Sequence, residues 1–338
     1  MDNDVRVSVC CLCYNHGKYI RQAIESMVHQ KTNFKYEIII HDDASTDNSA
    51  DIIREYEAKY PDLVKGIYQT ENQHSKGGGI LVKFVYPMAK GDYIAILDTD
   101  DFWCDDNKLQ KQFDIMEAHP ECSICVHKVR QIEESGEKLA DRFIPEEYYG
   151  ISGSGIVDED LFCKALFGKG YPFQTSSYFI RRNVTDILFQ NKDIFPRIYD
   201  YVYLMVSLCC GKLYYIDTVM STYRASVLSS WSKTRDEMRI EEKIEKIKGP
   251  NISQKIVFNK FSDFKYAKYI NKNVVGDILF LCPFNVKFGK RMLKESGVKY
   301  SDVKNDLGVK EKITYFLLKY FPPALYLIRI KRSKKIKV

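Results

Sequence analysis

Apolar and polar positions change period repeatedly along the first 127 residues. The run VRVSVCCLC (5–13) is apolar almost throughout and reads as a buried strand. In YIRQAIESMVHQ, residues Ile20, Ala23, Ile24, Met27 and Val28 share one side of a 3.6-residue period, which predicts an amphipathic helix. YEIIIHDD is a second strand. STDNSADIIREYEAKYP opens with capping residues and predicts a helix stopped by Pro61. VKGIYQ is a third strand, KGGGILVKFVYPMAKG a glycine-led helix and DYIAILD a fourth strand. DDNKLQKQFDIMEAHP predicts a helix capped by Asp105 or Asp106, and CSICVH a fifth strand. Strands and helices that alternate over short connections predict an α/β fold, with a mostly parallel, Rossmann-like sheet flanked by helices on both faces.

Over residues 127–175 the pattern dissolves, and IPEEYYGISGSGI reads as a loop or lid. Regularity returns with the strand TSSYFIRR, the helix YDYVYLMVSLCCG and the strand KLYYID. Beyond about residue 235 the period is helical and the composition basic, ending in RIKRSKKIKV. These shifts divide the chain into a region 1–234, itself split near residue 127, and a helical, basic C-terminal extension, 235–338.

Charge sharpens that division. Residues 1–120 hold 20 Asp/Glu and 13 Lys/Arg, whereas residues 249–338 hold 6 and 20. The ten cysteines show no metal-site spacing, and the CCLC and LCC clusters lie in apolar runs, as buried thiols do. No signal-peptide pattern is visible in MDNDVRVSV, and ITYFLLKYFPPALYLIRI is interrupted by Lys319 and by Pro322-Pro323. The expectation is a chain made and kept in the cytoplasm.

Ligands of open parallel sheets sit beyond the carboxyl ends of the strands. The first strand delivers Tyr14, Asn15 and His16 there, the second Asp42 and Asp43, and the fourth Asp98, Asp100 and Asp101. Three carboxylates within four residues repel one another unless a positive charge sits among them. A hard divalent cation suits such a group, taking one or two carboxylates and filling its shell with phosphate oxygens and water. A helix N-cap cluster would also explain acids at this point, because Asp105 and Asp106 precede a helix. The second acidic strand end and Tyr14-Asn15 weigh against that plainer reading.

The set VSVCCLCYNHGKYIRQAIESMVHQ, YEIIIHDDASTDNSADII and GDYIAILDTDDFWCDDNKLQKQ resembles the donor-binding half of a family 2 glycosyltransferase with the GT-A fold. The likeness runs from about Val5 to His127, and RIYDYVYLMVSLCCGKLYYIDTVMSTYR extends it to about residue 224. The Gln-x-x-Arg-Trp signature of processive synthases is missing, which implies addition of one or a few sugars.

The resemblance implies an inverting transferase that uses a nucleotide-sugar, UDP-linked in the simplest reading, with Mn2+ or Mg2+. Tyr14 would flank the nucleobase, with Asn15 supporting its loop. Asp43 would accept from the uracil imide, and Asp42 would shape the turn. Asp98 and Asp100 would lie along the ribose and diphosphate, and Asp101 or Asp100 would touch the metal. Asp200, a lone acid in FPRIYDYVYL, would be the general base, with Asp186, Asp193 and Asp217 as rivals. A helix N-cap is the plainer role for Asp200.

Arg224 either reaches the diphosphate or is an ordinary surface arginine. Lys76 with Gly77, Gly78 and Gly79 is either an anion-cradling helix start or a flexible loop. Trp103 is either core or a wall for the donor sugar. His16, His41, His74 and His127 are too scattered for a ligand set and read as packing or loop residues.

The aromatic and basic C-terminal segment suits contact with an anionic membrane surface, at the inner face of the cell membrane, where a glycan or lipid-linked acceptor would be met. The acidic front half argues against nucleic acid as a partner. A non-catalytic nucleotide-binding or membrane-scaffold protein with the same fold is the alternative. A nucleotidyltransferase would need a Gly-rich, Lys/Arg-bearing loop where this chain has LCYNHGKYI.

Overall fold

A computed structural model of the protein describes residues 4–77, 79–140, 150–169, 172–195, 200–225 and 238–333. The chain forms two compact units, Met1–Lys233 and Thr234–Val338.

The first unit is built on strands β1 (Val5–Cys13), β2 (Lys35–Asp42), β3 (Val64–Tyr68) and β4 (Tyr93–Asp98), all mutually parallel in the order β3-β2-β1-β4. Gly91 permits the close approach of β4 to β1, since a Cβ there would fall 2.5 Å from the Ser8 nitrogen. One face of these strands carries Val7, Val9, Cys11, Ile38, Ile40, Ala95 and Leu97. Helices α1 (Ile20–Val28), α2 (Ser49–Lys59) and α3 (Lys108–Ala118) pack on that face through Ile24, Met27, Ile53, Leu109 and Met116. Burial of these side chains is the main stabilising term, about 1.5–3 kcal/mol for each large one.

Beyond β4 the sheet is less uniform than the alternating pattern predicts. It continues with β5 (Phe102–Trp103), β6 (Cys122–Ile132), β7 (Lys138–Ala140), β8 (Gly155–Ile156), β9 (Phe179–Arg181) and β10 (Lys212–Arg224). The three-residue β9 lies antiparallel between β4 and β6, and β10 runs parallel to β6. The described sheet is therefore mixed, with parallel blocks on either side of β9. Two further helices of the unit are α4 (Glu159–Cys163) and α5 (Arg182–Gln190), followed by α6 (Asp200–Cys210).

Local differences have local causes. The helix after Asp105 and Asp106 begins at Lys108, with Asn107 at its N-cap position, because Asp105 folds back to accept the Asn107 N–H. The glycine-led helix is a 3-10 turn, His74–Lys76, then a short π-helix, Leu81–Val85, separated by Gly77 and Gly79 at positive φ. TSSYFIRR is a 3-10 turn followed by β9, and its last arginine opens α5. Cys209 is exposed and not buried, as is Cys104, while Cys10, Cys11, Cys13, Cys122, Cys125, Cys163 and Cys282 are interior. Residues 141–149 of the expected lid lie outside the described residues.

The second unit is helical, as its period predicts. Its helices are α7 (Ile240–Lys243), α8 (Gly249–Phe261), α9 (Ala267–Leu281), α10 (Val286–Ser296), α11 (Tyr300–Val303), α12 (Val309–Tyr320) and α13 (Leu325–Ser333). Asn285 caps α10 by accepting the Phe288 N–H, and Gly297 ends it at φ 67. Val275, Leu279, Cys282, Val303, Leu307, Leu318 and Leu325 form its core.

Candidate active site

Sheet register brings the acidic strand ends together. Cys13 of β1 pairs with Asp42 of β2, and Leu12 of β1 pairs with Asp98 of β4. Neighbouring strands lie about 4.8 Å apart, so Tyr14, Asn15, Asp42, Asp43 and Asp98 share one rim.

The loop after β1 is held against the loop after β2. Asn15 sits at φ 56, donates its N–H to Ser45 Oγ at 2.9 Å and accepts the Thr46 N–H at 2.7 Å. Asp43 accepts the N–H groups of Gln73 and His74 at 2.7 and 3.0 Å and so fixes the 3-10 turn that follows β3. Asp42 accepts the Ser45 N–H, while its Oδ1 is buried without a protein partner. Tyr14 is 40% exposed at the mouth of this loop pair.

The acids after β4 divide into different environments. Asp101 turns inward and is 2% exposed. Its Oδ1 accepts the Arg224 main-chain N–H at 2.9 Å, and its Oδ2 accepts from Gln174 Nε2 at 3.1 Å. Arg224 is equally committed. Its Nε donates to the Asp100 carbonyl at 3.1 Å, its Nη2 donates to Gln22 at 2.8 Å, and its guanidinium lies over the Tyr19 ring at 4.9 Å. At 6% exposure it is no surface arginine. Asp101 thus anchors the loop from behind, a different placement from the open metal contact its position in the run suggests.

Asp100 faces the rim instead. Its Oδ2 lies 3.9 Å from His16 Nε2, with each side chain 12% exposed. The Thr99 hydroxyl donates to the Leu12 carbonyl at 2.9 Å, which leaves its oxygen to accept from His16 Nδ1 at 2.8 Å. His16 Nε2 then presents a lone pair toward a carboxylate. A cation, or a proton on the imidazole, resolves that pairing of acceptors. The scattered histidines suggest no ligand set that would include His16. Its adjacency to Tyr14-Asn15 is the signal that marks it.

Asp98 has its carboxyl pushed well above the usual range by burial first, then by the charges of Asp100 and Asp200. Asp200, the first residue of α6, thus lies near enough for its charge to act on the Asp98 carboxyl. The rivals are placed otherwise. Asp186 pairs with Arg182 at 3.2 Å on α5, and Asp217 pairs with Lys128 at 2.5 Å. Asp193 is exposed. Lys76 pairs with Glu71.

Trp103 is core. It is 3% exposed and donates through Nε1 to the Ser176 carbonyl at 3.2 Å. Beneath it Lys108 is fully buried, its Nζ 4.2 Å from the centre of the Trp103 ring and 2.7 Å from Gln112 Oε1.

No group of three or more His, Cys, Asp or Glu side chains is placed to hold a metal among the described residues. Asp100, at the rim beside His16, is the acid that could hold a hard cation whose remaining ligands are phosphate and water.

An uncharacterized protein of Mycobacterium tuberculosis is 38% identical over 176 residues, 52% of this chain and 47% of its own length. The chain therefore spans about half the length of that curated relative. A poly(ribitol-phosphate) beta-glucosyltransferase of Bacillus spizizenii is 37% identical over 99 residues, 29% of this chain and 15% of its own. Among solved structures, S. aureus TarS 1–349 in complex with UDP superposes with a TM-score of 0.54 at 15% identity, covering 89% of this chain and 78% of that one. The same fragment with UDP-GlcNAc gives 0.53 at 14% identity, covering 89% and 92%. These likenesses establish the GT-A type of fold. The model of Glycosyl transferase family 2 matches residues 8–183, more than half of the sequence, and the chain belongs to that family.

Proposed function

We propose that the protein is an inverting, metal-dependent glycosyltransferase that moves a sugar from a UDP-linked donor to a hydroxyl of a glycan or lipid-linked acceptor, in surface polysaccharide or glycoconjugate synthesis. The observation that carries this reading is the convergence of Asp98, Asp100 and Asp200 at one end of the sheet. There, burial first and then the charges of Asp100 and Asp200 hold the Asp98 carboxyl above its usual range. Such crowding suits a site completed by cationic and diphosphate groups. Family membership and the UDP and UDP-GlcNAc complexes of TarS support it.

In this reading residues 1–127 bind the donor and residues 128–234 the acceptor. Tyr14 flanks the base, Asn15 holds its loop, and Asp42 and Asp43 shape the pocket for the uracil. Asp98 lies along the ribose and diphosphate. Asp100 would hold an Mn2+ or Mg2+ ion, with His16 beside it, while Asp101 and Arg224 fix the loop. The cation, when bound, neutralises charge on the departing diphosphate. Asp200 takes the proton of the acceptor hydroxyl as its oxygen attacks the anomeric carbon from the face opposite the leaving group. The bond to the diphosphate breaks and the anomeric configuration inverts. Work at the cytoplasmic face, with membrane contact through the basic C-terminal region, completes the reading.

A donor-hydrolysis and thermal-shift screen across nucleotide-sugars, with and without Mn2+, tests it. Turnover of one donor, and a UDP-induced rise in melting temperature that needs the metal, are expected. Nucleotide binding without turnover would favour the non-catalytic alternative. Neither binding nor turnover with any donor would remove the proposal.

A further inference from the structure

Helix α12 has two apolar faces. Leu318 faces inward and packs with Leu279, Leu307 and Leu325. The opposite face is open. Val309, Ile313, Phe316 and Tyr320 are 73%, 51%, 52% and 55% exposed, and their spacing of i, i+4, i+7 and i+11 places them in one stripe. Phe321, just beyond α12, and Tyr326 and Leu327 on α13 are also open, at 59%, 62% and 65% exposure. The Phe316 ring lies 4.9 Å from Tyr320 and 6.3 Å from Phe321, so the patch is continuous from Phe316 to Phe321. Lys312 and Lys319 are exposed on one shoulder of the stripe and Lys310 on the other. Helical geometry puts Glu311 on the inward side.

We propose that this stripe docks the protein on an anionic lipid bilayer. Ile313, Phe316, Tyr320 and Phe321 enter the headgroup boundary, and Lys310, Lys312 and Lys319 meet lipid phosphates. An apolar strip with cationic shoulders is the pattern of a helix lying in the interface plane. The charge balance of residues 249–338, 20 basic to 6 acidic, complements a negative surface. Tyrosine and phenylalanine suit a boundary that is apolar below and wet above. Twelve residues make a helix about 18 Å long, and no helix among the described residues is long and apolar enough to cross a membrane. The proposal rests on the membrane-contact part of the reading above and names its surface. It uses no catalytic residue, so vesicle binding tests it separately from sugar transfer.

The test is co-sedimentation of the full chain with vesicles of phosphatidylcholine, alone or mixed with phosphatidylglycerol. Binding to the mixed vesicles that weakens with salt is expected, with little binding to phosphatidylcholine alone. The double variant I313E/F316E should bind at least about tenfold less. Phe264→Glu, at an exposed aromatic outside the stripe, should bind as the parent does. The triple variant K310E/K312E/K319E removes the attraction while keeping every apolar residue of the stripe, losing only the Lys319 contact with the Tyr320 ring, and should also lose binding. It decides the matter if the double variant does not fold. Absence of binding to anionic vesicles, or binding that survives both stripe and lysine changes, would overturn the proposal. So would a dimer in sedimentation velocity that I313E/F316E dissociates, because the occupant would then be a second copy of the chain.

Discussion

The main-chain N–H of Arg224 donates to Asp101 Oδ1 at 2.9 Å, across 123 residues of sequence. With Gln174 on the other carboxylate oxygen, that contact turns one acid of a crowded run into an anchor and leaves Asp100 at the rim. Adjacent acids thereby acquire separable roles.

Asp101→Asn puts an N–H donor where two buried donors already converge. It should lower stability by about 1–3 kcal/mol, seen as a shifted urea midpoint without any ligand. Asp100→Asn should leave that midpoint within about 0.5 kcal/mol and abolish the melting-temperature rise given by UDP with Mn2+. The reverse pattern would exchange the two assignments.

Asp200→Asn keeps the shape of the side chain and removes the proton acceptor. The proposed role predicts a fall in kcat of about 10²–10⁴, with donor binding by calorimetry unchanged. A variant that turns over at the parent rate would return Asp200 to the role of a helix-terminal acid.

Asp98 is disfavoured as an anion by burial and by Asp100 and Asp200. Removing its charge in Asp98→Asn should therefore raise the melting temperature of the ligand-free protein by about 2–5 °C. The same change should weaken donor binding. A lower melting temperature would mean that hydrogen bonding to the anion outweighs the repulsion.

Burial lowers the Lys108 amine to about 7, against weaker opposing pulls from Cys125 and Asp105. Below pH 7 the lysine is charged in both folded and unfolded chains, and the cost of burying that charge is present in full. As pH rises from about 7 toward the unfolded value near 10.5, the folded chain sheds the proton first and the cost fades. Stability of the parent relative to Lys108→Met should therefore improve between pH 7 and pH 9, on the order of 1–2 kcal/mol, in urea titrations. A gap that does not change with pH would show that the amine does not titrate in this range.

Much of this arrangement is legible in the residue string, because β1, β2 and β4 are apolar runs that end in acids or in Tyr14-Asn15. A strand long enough to show its burial pattern also reveals where its carboxyl end lies. TSSYFIRR reads as a strand, but two-residue β5 and three-residue β9 are too short to show their direction, so the antiparallel insertion is not legible. The string also treats Asp100 and Asp101 alike. Their directions are decided by Gln174 and Arg224, which arrive from distant segments. Lys108 resembles any lysine at a helix start, and only the packing of Trp103 over it shows that it is interior.

The placement of β9 also bears on how the chain is made. β4 has β1 on one side and β9 on the other, at Tyr93, Ile94 and Ala95, and β6 draws its partners from β7, β9 and β10. A nascent chain that has emerged only to residue 127 therefore bears the loops after β1, β2 and β4 on a sheet with a bare apolar edge. Such an edge is a template for association with other chains. The first 127 residues are then not a unit of folding, and their safe synthesis depends on the arrival of residues 179–181.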